Sequence, residues 1–186
     1  TAAVAERHAT LVDVDLRGSS ALAREYPPAV VVEWLLEFRR LVHDAITVNG
    51  GIIDKYVGDG VIALFLNGDE REQAERALTA VETILAALRC LNEERRREGA
   101  PHLRVIAVVH CGLVLAGVFD DGRRAEFTVL GPVMNDLSRI ERRAKEANRD
   151  VVASAEVLKR LDPAKLERLL PQVLAPPTHV RGLPAL

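Results

Sequence analysis

The pattern of apolar and polar positions predicts strands near the start of the chain. Residues 10–16 alternate at period two, which is typical of a buried strand and places Asp13 and Asp15 on one face. Residues 52–65 carry β-branched and aromatic side chains on both sides of Gly58-Asp59-Gly60, which predicts a β-hairpin with Asp59 at its tip. Between them, apolar residues at three- and four-residue spacing predict a helix from Pro28 to about Asn49.

The later part of the chain continues the alternation of element types. After a loop at 67–69, the predicted elements are a helix over about 70–98, a strand-like segment over 103–118 broken at 110–112, a strand over 125–130, a helix from 131–132 to about 146, a short strand near 151, and one or two helices up to 170, before a Pro-rich tail.

The order β-α-β-β-α-β predicts an α+β fold, a ferredoxin-like sandwich with additional C-terminal elements, in which helices pack on one face of an antiparallel sheet. A chain of 186 residues that is 48% hydrophobic suits one domain over 1–186. Because it starts at Thr1 without Met and stops at Leu186, we expect a domain excised from a longer protein with regulatory or membrane-attached regions.

Composition argues against nucleic acid and membranes as partners of this domain. A net charge of -2 and a pI near 6.2 argue against nucleic acid. No stretch approaches the roughly 18 apolar residues of a membrane span, so we expect no membrane contact by this domain. Two cysteines without CxxC or Cys/His metal spacing favour a reducing, cytoplasmic compartment.

Carboxylates on the first strand and on the hairpin form the first candidate site, which would bind metal ions. In a β-α-β-β core the first strand lies beside the hairpin, so Asp15 and Asp59 are expected to meet and to hold hard cations such as Mg²⁺. A Gly-Asp-Gly turn alone is more often only a turn. Asp15 favours the metal interpretation, because a carboxylate in an apolar strand is costly unless it is paired or metal-bound; Asp13 shares its face and is a third candidate.

The second candidate pair lies on the helix that starts near residue 131. Asn135 and Arg139 are four residues apart and therefore point the same way. An amide and a guanidinium there could orient a ribose and neutralise charge on a phosphate in transfer. On their own they would more often be ordinary helix-surface residues.

Taken together, these segments resemble class III adenylate and guanylate cyclases of the bacterial type. VDVDLRGSSALA resembles the first metal motif of that family, and GGIIDKYVGDGVIALF resembles the second, with a Lys four residues before the Asp. The block VVHCGLVLAGVFDDGRRAEFTVLGPVMNDLSRIERRAKE resembles the third and ends in an Asn and an Arg separated by three residues. The sequence departs from the family pattern at Asp13, Ser19-Ser20 and Asp136, and none of these changes removes a catalytic group.

The resemblance implies roles for individual residues. Asp15 and Asp59 would hold two Mg²⁺ or Mn²⁺ ions, and Asn135 and Arg139 would act on the transition state. Lys55 and Thr128 would select the base, and in the tail Arg181 would bind phosphate. In the family the site is shared between two chains, which implies a homodimer.

The resulting prediction is an adenylate cyclase that converts ATP to 3′,5′-cyclic AMP and pyrophosphate for intracellular signalling. Adenine offers a bare N1 acceptor and an N6 donor, which an ammonium and a hydroxyl complement, so Lys55 with Thr128 favours ATP. Three alternatives stay open: a guanylate cyclase, a non-catalytic nucleotide-sensing dimerisation module, and a palm-type nucleotidyltransferase or diguanylate cyclase, which is disfavoured because GGDEF-like residues are absent at the turn.

Overall fold

The computed structural model describes residues 4–173. Their strands and helices, in chain order, are β1 (Ala5–Arg17), α1 (Ser19–Glu25), α2 (Pro28–Val48), β2 (Ile52–Val57), β3 (Gly60–Phe65), α3 (Glu70–Arg97), β4 (Arg104–Asp120), β5 (Ala125–Leu130), α4 (Pro132–Glu146), β6 (Val151–Ala153), α5 (Ala155–Leu158) and α6 (Pro163–Val173). None of these helices is long and apolar enough to span a bilayer.

The strands form one sheet in the order β2-β3-β1-β4-β5, with antiparallel neighbours, and β6 pairs in parallel with β4. The predicted α+β fold is confirmed, and so is the neighbourhood of the first strand and the hairpin, because β1 pairs with β3. This register sets Asp15 opposite Gly60 at the start of β3, next to the hairpin tip.

Helices cover both faces of the sheet, so the expectation of helices on one face is wrong. Residues of α2, α3 and α5 pack with Val12 and Val14 of β1 in one core. The apolar stripe of α4 packs on the opposite face with Leu11 of β1 and Ile106 of β4 in a second core. Both faces of the central strands are apolar over most of their length, and each face therefore needs its own cover.

The predicted break at residues 110–112 is also wrong, because β4 runs without interruption through them. His110 is buried and bonded to Ser154 rather than turned to solvent. At Gly112 an added Cβ would lie 3.2 Å from Cγ2 of Val133, so the glycine lets α4 approach the strand closely. The structure also adds α1 and extends β1 back to Ala5, where the apolar alternation is too weak to predict a strand.

Candidate active site

The structure brings Asp15 and Asp59 together at the junction of β1 and the β2–β3 hairpin. The Leu16 N–H donates to the Asp59 carbonyl at 3.4 Å, which fixes the hairpin tip beside the end of β1. The Ser19 hydroxyl, at the start of α1, donates to the Asp59 carboxylate. Asp15 is buried and Asp59 is partly buried, so both carboxylates lie where an unpaired charge is costly.

The hairpin tip is held in place by its glycines and by α2. Gly58 has φ +58°, a left-handed conformation that favours glycine. A Cβ at Gly60 would lie 3.2 Å from Oδ1 of Asp15, so a larger residue there would crowd the carboxylate. Arg39 of α2 donates to the Gly58 carbonyl at 2.6 Å, and its guanidinium lies 4.6 Å from the Tyr56 ring centroid.

The electrostatics of this corner disfavour several carboxylates being ionised at once. Burial, together with the nearby carboxylates of Glu141, Asp15 and Asp59, raises the pKa of Asp13 to about 7, although Lys145 opposes the shift. Burial and a hydrogen bond with Asp15 raise the pKa of Asp59. A cation bound beside these carboxylates would lower their pKa values again and favour their ionised forms.

Lys145 of α4 places one positive charge beside the carboxylates of Asp15 and Glu141. Its ammonium donates to the carboxylates of Asp15 and Glu141. Burial alone would lower the pKa of Lys145, but these two hydrogen bonds raise it above its ordinary value. The lysine side chain is 44% exposed, whereas the Asp15 side chain is only 11% exposed, so Lys145 lies on the solvent side of this contact.

The residues present fit a divalent cation. Two carboxylates from different elements lie side by side, and carboxylate oxygen is the ligand that Mg²⁺ and Mn²⁺ prefer. Residues 4–173 contain no group of three or more His, Cys, Asp and Glu side chains that could hold a metal ion, so the candidate site consists of the pair Asp15 and Asp59.

Asn135 and Arg139 lie on the exposed side of α4, one helical turn apart, as their spacing predicts. Six residues separate Arg139 from Lys145, which places Arg139 about 9 Å further along the helix axis and about 120° around it. Arg139 instead pairs with the Asp136 carboxylate. Within one chain, therefore, Lys145 and not Arg139 contacts Asp15.

The predicted base-selecting residues lie on strands at opposite edges of the sheet. Lys55 is exposed on β2, where its ammonium lies 3.4 Å from the buried Asp54 carboxylate. Burial raises the pKa of Asp54, and Lys55 opposes that shift. Thr128 is half-buried on β5. Arg181 lies outside the described residues.

Several proteins with related sequences or folds are named as nucleotide cyclases. The chain is 30% identical over 163 residues to an adenylate cyclase of Anabaena cylindrica, which is 86% of this chain and 32% of that protein. It matches the guanylyl cyclase Cya2 with 26% identity and a TM-score of 0.73, over 84% of this chain and 79% of that one. No protein-family model matches the chain.

The adenylyl cyclase CyaB of Pseudomonas aeruginosa has the same fold, with a TM-score of 0.75 at 21% identity over 85% of this chain and 82% of that one. The chain belongs to the class III nucleotide cyclase family. It is a nucleotide cyclase domain that spans about a third of the length of its Anabaena relative.

The structure of this cyclase domain adds site residues that sequence reasoning missed. Ser19 binds Asp59, Lys145 binds Asp15, and Arg39 holds the hairpin tip. The only sequence signal for Lys145 is its i,i+4 spacing from Glu141, which indicates a helix-surface pair and nothing about Asp15. Ser19 lies where the family pattern has a different residue, so the resemblance gave no hint of its contact.

Proposed function

We propose that this domain is an adenylate cyclase, which converts ATP to 3′,5′-cyclic AMP and pyrophosphate in intracellular signalling. The observation that carries the proposal is the pairing of the Asp15 carboxylate, near the end of β1, with the Asp59 carboxylate at the hairpin tip. An exposed arginine on α4, Arg139, supports it. The 3′-oxygen of the ribose attacks the α-phosphorus in line with the departing pyrophosphate, so no covalent nucleophile is needed.

Each side chain has one task in this reaction. Asp15 and Asp59 hold two Mg²⁺ or Mn²⁺ ions, which supply charge neutralisation at the phosphates and a lower pKa for the 3′-hydroxyl. Asn135 orients the ribose, and Arg139 meets the charge that grows on the phosphate oxygens. Arg181, from the tail, binds the triphosphate.

Lys55 and Thr128 supply the preference for adenine. The Lys55 ammonium donates to the bare N1 of adenine, and the Thr128 hydroxyl accepts from the N6 amino group. Guanine carries N1–H and a 2-amino group and would require an acidic acceptor instead. Cyclisation of GTP is the second candidate function, and the 26% identity to a guanylyl cyclase supports it.

The domain works as a homodimer whose sites are shared. Asp15 lies near the middle of the sheet, whereas Lys55 and Thr128 are on opposite edge strands and Arg139 pairs with Asp136 rather than with its own Asp15. A second copy would supply these groups across the interface. Large apolar side chains on β4 and β5 are exposed and suit such an interface, namely Leu113, Leu115, Val118, Phe127 and Leu130.

The direct test is to incubate the domain with ATP or GTP and Mn²⁺ and to separate products by chromatography. We expect cyclic AMP as the main product, with turnover by Asp15→Ala and Asp59→Ala below about a tenth of wild type, a barrier increase of about 1.4 kcal/mol or more. If wild type forms no cyclic product although it binds nucleotide, a non-catalytic nucleotide-sensing module replaces the proposal.

Base choice has its own test. Lys55→Glu combined with Thr128→Cys should shift the preference toward GTP, because a carboxylate accepts from the donors of guanine. If wild type cyclises GTP faster than ATP, the assignment to adenine is wrong.

Mixing two inactive variants tests the shared site. Asp59→Ala and Arg139→Ala homodimers should each be almost inactive. In a mixed dimer, one site receives intact carboxylates from one chain and intact Arg139 from the other, whereas the second site carries both defects. With free exchange about half of the dimers are mixed, so activity should recover to about a quarter of wild type. No recovery after verified subunit exchange would refute the shared site.

A further inference from the structure

A chain of contacts connects Arg139 to the protein core. The Arg139 guanidinium pairs with Oδ1 of Asp136, one turn away on α4. Oδ2 of Asp136 lies 3.8 Å from Nε2 of His110 on β4. Nδ1 of His110 lies 2.8 Å from the hydroxyl of Ser154, which is 1% exposed. Each oxygen of Asp136 therefore faces a different partner.

The neighbours of His110 favour one tautomer of its ring. The Ser154 oxygen caps α5 by accepting the N–H of Val157 at 3.4 Å, and its hydroxyl can still donate to Nδ1 of His110. We assign the ring proton to Nε2, because Nε2 faces the Asp136 carboxylate, which can only accept. The Ser154 N–H also donates to the Val109 carbonyl at 2.9 Å, so the hydroxyl is anchored to β4.

The environment of His110 keeps its ring neutral. Burial lowers the pKa of His110, and Arg160 lowers it further, while Glu156 and Asp136 oppose that shift. A neutral ring with Nε2–H places the positive end of that bond toward Oδ2 of Asp136 at 3.8 Å, an electrostatic contact rather than a hydrogen bond.

We propose that Asp136 is a positioning residue for the transition-state arginine, and that His110 fixes Asp136 from the core side. The proposal rests on the cyclase function proposed above. An arginine side chain at the surface loses rotamer entropy when it is fixed. A carboxylate that is itself anchored removes much of that freedom before substrate binds.

The geometry leaves Arg139 able to bind phosphate while it is held. Its contact with Asp136 uses one terminal nitrogen, and the side chain is 44% exposed. Within the described residues it has no other ion pair, so its second terminal nitrogen and Nε remain for oxygens of the reacting phosphate. Sequestration of Arg139 by Asp136 would predict the opposite kinetics, because removal of the carboxylate would then raise activity.

The test is steady-state kinetics of Asp136→Asn with Mn²⁺-ATP beside wild type. We expect kcat to fall on the order of tenfold while KM stays within about threefold, because Arg139 acts on charge that develops only in the transition state. The matched control is Glu146→Gln, which makes the same change of carboxylate to amide at an exposed position of α4 and should leave both constants unchanged.

Variants of His110 test the second link. His110→Gln places an amide N–H near the position of Nε2 and should retain most of the kcat, whereas His110→Leu should lower it. The double variant His110→Leu with Asp136→Asn should be no slower than Asp136→Asn alone, because both act through one carboxylate. Thermal unfolding of each variant separates loss of folded enzyme from loss of positioning.

The outcomes distinguish the inference from the cyclase function itself. An inactive wild type contradicts the proposed function. An active wild type with unchanged or raised kcat in Asp136→Asn overturns the positioning role. A kcat loss in Asp136→Asn with fully additive effects in the double variant overturns the part assigned to His110.

Discussion

The contact between α3 and the start of β4 gives a prediction whose size follows from the structure. The amide of Asn92 donates to the Leu103 carbonyl at 2.9 Å and accepts the Leu103 N–H at 2.8 Å. Both residues are buried, with exposures of 6% and 1%. The contact fixes the entry to β4, which pairs through Ile106 with Asp15.

Asn92→Leu keeps the approximate volume and leaves two buried backbone groups of Leu103 without partners. Each such group costs about 1–3 kcal/mol, so unfolding free energy should fall by about 2–6 kcal/mol. With a slope of about 2–3 kcal/mol per molar urea, the denaturation midpoint should fall by at least about 0.7 M. Circular dichroism during urea titration measures this shift.

The control for this experiment is Arg89→Ala, at an exposed position of the same helix, which should change stability by less than about 0.5 kcal/mol. A midpoint for Asn92→Leu within about 0.2 M of wild type, with unchanged slope, would show that the two hydrogen bonds contribute little net stability. That result would refute the reasoning.

Three further experiments test individual contacts in the structure. Lys145→Gln should tighten Mn²⁺ binding measured by calorimetry without nucleotide, because the ammonium no longer competes for the carboxylates; weaker binding would contradict this. Gly51→Ala should lower stability by about 1–3 kcal/mol in urea titration, since its Cβ would lie 2.7 Å from the Phe65 ring, and an unchanged midpoint would contradict it. Burial raises the pKa of the Cys111 thiol to about 11, so Ellman's reagent at pH 8 should modify only exposed Cys90 in the native chain and both thiols in denaturant.

The parts of the fold that depend on short-range rules could be predicted from sequence. Period-two alternation placed Asp13 and Asp15 on one face of β1, and Gly-Asp-Gly placed Asp59 at a hairpin tip; the structure confirms both positions. The start of α3 was predicted just after the loop, and Asp69 with Glu72 forms a capping box there. Each of these features depends on residues within a few positions of one another.

The side of the sheet that α4 covers could not be predicted in this way. Periodicity shows which side of a helix is apolar but not which sheet face it packs against, because both faces of β1 and β4 are apolar. Periodicity also could not predict the contact between Lys145 and Asp15, because these residues are 130 positions apart in the chain. Gly112 was interpreted as a break in β4 although its missing Cβ allows the approach of Val133.

The departures from the family pattern lie against the residues that carry the proposed chemistry. Ser19 donates to Asp59, Asp136 pairs with Arg139, and Asp13 lies in the same buried carboxylate cluster as Asp15. Each departure introduces a hydroxyl or a carboxylate, and each therefore changes local charge or hydrogen bonding without replacing a catalytic group. A rate difference between this domain and its relatives should accordingly follow these contacts more closely than overall sequence identity, because transition-state electrostatics depend on groups within a few ångströms of the developing charge.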